Sequence, residues 1–124
     1  YAHHPSEIKA VYESLESLYP DKNIMAIFQP HLFSRTRDFI DQFAQILSKF
    51  DEVVLLEIYP AREEAIKGIN SSELLKRIKN INKNLVNKSE LSSHIKNSES
   101  DVFVVMGAGD ISEEIPLIKD VIIS

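Results

Sequence analysis

Residues 24–37 read IMAIFQPHLFSRTR, an apolar run that passes through a proline turn into a segment with helical spacing. The apolar part, residues 24–28, does not alternate with polar residues, which is typical of a strand covered on both faces of a parallel sheet. After the turn, apolar residues recur at the spacing of one helix face: Phe39, Ile40, Phe43, Ile46, Leu47 and Phe50. The stretch therefore predicts a buried strand followed by a helix that packs on the sheet.

The same alternation extends to both sides of this unit. Further buried strands are predicted at residues 53–58 and 102–106, and a short edge strand at 85–86. A helix before the first strand should begin near Pro5, end at the turn 19–22, and bury one stripe: Ile8, Val11, Tyr12, Leu15 and Leu18. Weaker helices are expected around residues 74–78, 91–95 and 110–121. The pattern predicts a single α/β domain over residues 1–124, with a Rossmann-like, doubly wound, mainly parallel sheet flanked by helices.

Composition excludes several classes of protein. The 124 residues are 44% hydrophobic and 27% charged, which is ordinary for a globular domain. The formal net charge of −5 argues against a nucleic-acid or polybasic membrane binder, because such proteins need a basic face. With no cysteine, the chain has neither a disulfide framework nor a thiolate metal site. No apolar run approaches the roughly 20 residues that span a bilayer.

Ligands of open α/β sheets bind beyond the carboxyl ends of the strands, which directs attention to the loops after the predicted strands. The loop after the first strand carries Arg35 and Arg37 at the start of a helix, where the helix dipole disfavours cations. We expect Arg35 to bind an anionic group such as a carboxylate or phosphate. For Arg37, pairing with Asp38 or Asp41, or exposure to solvent, is the better interpretation.

The remaining candidates carry weaker signals. The loop 59–68 is charged, and a plain surface loop explains it at least as well as a functional one. Two of the three glycines lie in residues 106–110, which indicates a tight turn or a close approach of two backbone segments. His3 and His31 could contact a substrate or cap a helix. We expect no metal site at the adjacent His3 and His4, because neighbouring side chains diverge.

Four segments in register resemble the C-terminal domain of the Mur ligase family. They are YAHHPSEI at residues 1–8, FQPH followed by SRT within residues 28–36, IYPA at residues 58–61, and MGAGDI at residues 106–111. The segment at 28–31 is similar to the members that add L-alanine, rather than to the murein tripeptide recycling ligase. Leu32 departs from the family pattern, in which many members have arginine, so a second arginine at the site is not expected from this position.

This resemblance implies an ATP-dependent ligation of L-alanine to UDP-N-acetylmuramate in peptidoglycan biosynthesis, through an acyl phosphate. Tyr1 then corresponds to a contact of the adenosine of ATP, His3 to a residue facing the alanine, and Arg35 to the arginine at its carboxylate. His31 and Ser34 would support this site. The catalytic groups, together with most contacts to ATP and magnesium, are expected in a central domain of the same ligase, in the bacterial cytoplasm.

The chain begins with Tyr1 rather than methionine, so we expect it to be part of a larger protein and inactive alone. A different hypothesis is a separate anion- or nucleotide-binding module with a Rossmann-like fold and no ligation. The sequence leaves open the choice among alanine, serine and glycine, because one methyl or hydroxyl group changes binding only about 10- to 200-fold.

Overall fold

The computed structural model describes residues 2–80 and 82–107, together with the backbone of 121–123. These residues contain four helices and five strands. The helices are α1 Pro5–Leu18, α2 Phe33–Leu47, α3 Ser71–Arg77 and α4 Lys88–Lys96. The strands are β1 Ile24–Gln29, β2 Glu52–Leu55, β3 Lys83–Leu85, β4 Val102–Gly107 and β5 Val121–Ile123.

All five strands are parallel and form one sheet in the order β3-β2-β1-β4-β5. The chain moves outward from β1 through β2 to β3, and then returns to place β4 on the other side of β1. This reversal is the topological switch of a doubly wound sheet, and the carboxyl ends of β1 and β4 lie beside it. The predicted fold class is therefore confirmed, including a short strand at one edge.

Both faces of the sheet are covered by helices, which explains the continuous apolar run of β1. Ile24, Ala26 and Phe28 belong to a core shared with α1, α2 and α3. The alternate residues, Met25 and Ile27, pack in a second core with α4. Successive side chains of a strand point to opposite faces, so a strand in this position needs apolar residues at every place. No helix within the described residues is long and apolar enough to cross a membrane.

Three boundaries differ from the sequence prediction. Leu18 was expected in the buried stripe of α1, and this is wrong: it ends the helix 70% exposed, while Tyr19, the C-cap residue, packs on the core instead. Strand β2 ends at Leu55 rather than at residue 58, although Ile58 remains buried. Strand β5 was not expected, and the helix expected over residues 110–121 lies outside the described residues.

Helix α4 begins with a capping box that gives a first test of local stability. The Asn87 side chain accepts a hydrogen bond from the backbone N–H of Glu90 at 3.0 Å, and the Glu90 carboxylate accepts one from the Asn87 backbone at 3.1 Å. We expect Asn87→Ala to lower the free energy of unfolding by about 1 kcal/mol, measured by urea denaturation of the chain. Asn84→Ala, at an exposed strand position, is the control. Equal losses in both variants would contradict the capping role.

Candidate functional site

The loops that follow β1 and β2 are joined by backbone hydrogen bonds at the carboxyl edge of the sheet. The Leu32 N–H donates to the Tyr59 carbonyl at 2.9 Å, and the Tyr59 N–H donates to the Pro30 carbonyl at 2.8 Å. His31 and Tyr59 form a parallel bridge beyond the ends of the two strands. The two segments that the sequence singled out separately therefore form one surface.

The end of β4 approaches the same place. Gly107 pairs with Gln29 in the sheet and has a φ of 115°, a conformation that favours glycine. A Cβ at this position would lie 2.1 Å from the Gln29 carbonyl oxygen. The close backbone approach expected from the glycines is therefore confirmed at Gly107, whereas Gly109 lies outside the described residues.

His3, His31 and Arg35 lie together at this edge. The Arg35 guanidinium donates from Nη1 to His31 Nδ1 at 3.1 Å. The ring of His3 meets the ring of His31 edge-on at a centroid distance of 6.0 Å, and Tyr59 stacks on His31 at 5.8 Å. All three predicted residues are partly buried, so each keeps some exposed surface.

The arginine determines the proton arrangement of His31. A guanidinium has donors and no acceptor, so Nδ1 of His31 must be unprotonated to accept its hydrogen bond. The neutral ring then carries its proton on Nε2, which can donate to a ligand. Burial lowers the pKa of His31, and the positive charge of Arg35 and the nearby His3 lower it further, against a smaller opposing effect of Glu63.

We expect His31 to titrate below its ordinary pKa of 6.5 in the folded protein. The unfolded chain takes up this proton more readily than the folded chain, so the free energy of unfolding decreases as the pH falls below 6.5. At pH 7 the ring is largely neutral in both states, and this loss is small. Following the imidazole signals by NMR against pH tests this directly. Arg35→Ala should move the midpoint of His31 upward, and a midpoint at or above 6.5 in the unsubstituted protein would contradict the assignment.

The first turn of α2 is capped by a residue that the sequence analysis did not select. The N-cap residue is Leu32, at a φ of 72°, and its side chain offers no acceptor. Glu63, from the loop after β2, accepts a hydrogen bond from the Ser34 backbone N–H at 3.0 Å and another from the Ser34 hydroxyl. These bonds to the charged form lower the pKa of Glu63. Sequence alone offers no signal for this contact, because 29 positions separate the two residues.

Two other predictions concern the partner of Arg37 and the histidine that caps a helix. The Arg37 Nε donates to Asp38 at 2.9 Å, as expected, and both side chains are about half exposed. The helix cap considered for His3 or His31 is instead His4, whose ring nitrogen accepts from the Ser6 backbone N–H.

Three further observations concern a buried polar atom, metal binding and the expected nucleotide contact. The side-chain amide of Gln29 donates to the Glu57 carbonyl at 3.2 Å, while its buried Oε1 has no hydrogen-bond donor among the described residues. Within residues 2–80 and 82–107, no group of three or more His, Asp or Glu side chains is placed to hold a metal ion. Tyr1, the expected nucleotide contact, lies outside the described residues.

Comparison with known proteins shows the family to which this chain belongs. The family model described as "Mur ligase, glutamate ligase domain" matches residues 1–109. The chain belongs to the Mur ligase family, and the resemblance stated from its motifs is confirmed.

The relatives that the chain matches carry the name of one particular enzyme of this family. The chain is 57% identical over 119 residues to UDP-N-acetylmuramate–L-alanine ligase of Christiangramia forsetii, covering 96% of this chain and 26% of the relative. It is 56% identical to the ligase of the same name from Flavobacterium psychrophilum, covering 96% and 27%. The chain thus spans about a quarter of the length of these relatives.

A solved structure supports the same assignment. The crystal structure of UDP-N-acetylmuramate-alanine ligase from Thermotoga maritima matches 92% of this chain and 23% of that chain, with a TM-score of 0.67 and 31% sequence identity. Its match to the five-stranded domain described above shows that the two share this fold.

Proposed function

We propose that this chain is the amino-acid-binding, C-terminal domain of a three-domain ligase that joins L-alanine to UDP-N-acetylmuramate at the expense of ATP. The match to about a quarter of each L-alanine ligase supports this proposal. The other domains would bind the UDP-sugar, and ATP with magnesium. The central domain is then the principal partner of this chain.

The observation that carries the proposal is the Arg35 guanidinium beside a neutral His31 at the carboxyl edge of the sheet. A guanidinium matches the two oxygens of a carboxylate, and L-alanine presents one such group. The half-buried position strengthens this attraction relative to bulk water. Arg35 therefore binds the carboxylate of L-alanine.

His31 and His3 complete the amino-acid site in this proposal. His31 accepts from Arg35 on one nitrogen and presents the Nε2–H on the other, so it both orients the guanidinium and can donate to the substrate. His3 lies edge-on to His31, close enough to contact the same substrate. Tyr1 contacts the nucleotide, a role that rests on the family resemblance alone.

The chemistry of such a ligation needs positioning more than acid or base groups from this domain. The lactyl carboxylate of UDP-N-acetylmuramate takes the γ-phosphoryl group of ATP and becomes an acyl phosphate. The amine of L-alanine attacks the acyl carbon, and phosphate leaves as the amide forms. Holding the amine in line and excluding water are the contributions expected from this domain. Magnesium would neutralise phosphate charge in the central domain.

Turnover of the full-length protein tests this function. We expect ADP and phosphate to be released in equal amounts only when ATP, UDP-N-acetylmuramate and L-alanine are all present. The 124-residue chain alone should release none. Turnover that requires a murein tripeptide instead of L-alanine would favour the recycling ligase. Micromolar nucleotide binding by the isolated chain in calorimetry, without ligation by the full-length protein, would favour the separate binding module.

A further inference from the structure

We propose that Glu63 is a positioning residue for the amino-acid site, because its carboxylate caps α2 in place of a local cap and so holds the turn that carries Arg35. This inference rests on the proposed function and extends it to the loop after β2. From sequence, a plain surface loop explained residues 59–68 at least as well as a functional one.

Helix α2 needs a cap from elsewhere in the chain. Its first N–H groups have no partner within the helix, as in every α-helix, and its N-cap residue Leu32 has an apolar side chain. The first turn also holds no acidic residue, while Arg35 lies in it and Arg37 follows. These positive charges oppose the partial positive charge of the helix N-terminus. The first turn of α2 is therefore destabilised unless another part of the chain caps it.

Glu63 supplies both the hydrogen-bond acceptor and the negative charge that the start of α2 lacks. Its two oxygens accept from the backbone N–H and from the hydroxyl of Ser34, the residue immediately before Arg35. Its negative charge lies at the positive end of the helix, where a carboxylate is stabilising. The loop that carries it is anchored by the hydrogen bonds of Tyr59 with Pro30 and Leu32.

The cap also affects which group of the protein meets the substrate. With Glu63 occupying the Ser34 donors, the carboxylate of the amino acid is directed to the Arg35 guanidinium rather than to the helix N-terminus. The hydrogen bond from Arg35 to His31 joins this turn to the residue just before the N-cap, since the two residues are four positions apart. Loss of the cap would loosen this turn and with it the guanidinium.

Steady-state kinetics of the full-length protein test the proposal. We expect Glu63→Ala to raise KM for L-alanine about fivefold, in line with the loss of a helix cap. The KM values for ATP and UDP-N-acetylmuramate should change less than about twofold. Glu63→Gln retains an acceptor for the Ser34 N–H and should restore most of the affinity. The exposed neighbour Glu64, changed to alanine, is the matched control.

The possible outcomes separate the two proposals. If the unsubstituted protein shows no turnover that depends on L-alanine, the proposed function fails, and this inference fails with it. With normal turnover, an unchanged KM for L-alanine in Glu63→Ala overturns the inference alone. A lower KM also overturns it, because Glu63 would then compete with the substrate. Equal rises in all three KM values would show a general structural role instead of positioning.

Discussion

Alanine in place of Arg35 is expected to lower kcat/KM for L-alanine by about 10- to 100-fold in the full-length protein. The variant loses the proposed charge-assisted hydrogen bond to the substrate carboxylate, and one such bond is worth about 1.5–3 kcal/mol. It also leaves His31 without the donor now held at 3.1 Å. The rate of ADP release against the concentration of L-alanine measures the effect.

Arg37→Ala is the matched control, because Arg37 is exposed and pairs with Asp38 on the surface. It should change kcat/KM less than about twofold, as expected for a surface ion pair. Arg35→Lys keeps the charge but loses the planar fork, so an intermediate loss is expected. Similar values for the Arg35 and Arg37 variants would contradict the proposed carboxylate site.

Gly107→Ala is expected to lower the free energy of unfolding by about 2–5 kcal/mol. An alanine at a φ of 115° adopts a conformation that is unfavourable for any residue with a Cβ, at about 1–2 kcal/mol. The added Cβ would also lie 2.1 Å from the Gln29 carbonyl oxygen, so β1 and β4 must separate at their ends. Overpacking of this kind costs a further 1–3 kcal/mol, roughly. Urea denaturation of the chain measures the sum.

Gly68→Ala separates the two contributions. Gly68 also has a positive φ, of 81°, but a Cβ there would meet nothing within 4 Å. This control should lose only the conformational part, about 1–2 kcal/mol. If both variants lost the same stability, the close approach of Gly107 to Gln29 would not contribute. Because Gln29 lies two residues before His31, Gly107→Ala should also weaken L-alanine binding.

The buried strands could be predicted from sequence because burial on both faces imposes a local pattern. Residues 24–28 and 102–106 are apolar at every position, and the structure places them at the centre of the sheet. The order of the elements through β4 followed from the same patterns, and the edge strand predicted at residues 85–86 corresponds to β3 at Lys83–Leu85. Leu18 shows where this reasoning fails: periodicity assigns a residue to a face, but the end of the helix lies beyond the core.

The site was predictable in part. Arg35 stood out because a cation at a helix N-terminus is unfavourable without an anionic partner, and the motifs added His3 and His31. That these three side chains lie together could not be read from spacing, since His3 precedes α1, whereas His31 and Arg35 lie after β1. Nothing in the sequence pointed to Glu63, because acidic residues are common in loops. Only the tertiary structure places this loop against α2.

The sequence by itself determined the α/β class, the buried strands and the family, because these depend on patterns of consecutive residues and on motifs in register. Only the tertiary structure decided which loops meet. The parallel register brings the ends of β1, β2 and β4 to one edge, and there Arg35 contacts His31, Glu63 caps Ser34, and Gly107 touches Gln29. The contacts of Glu63 with Ser34 and of Gly107 with Gln29 join residues far apart in the chain, and no local pattern encodes them.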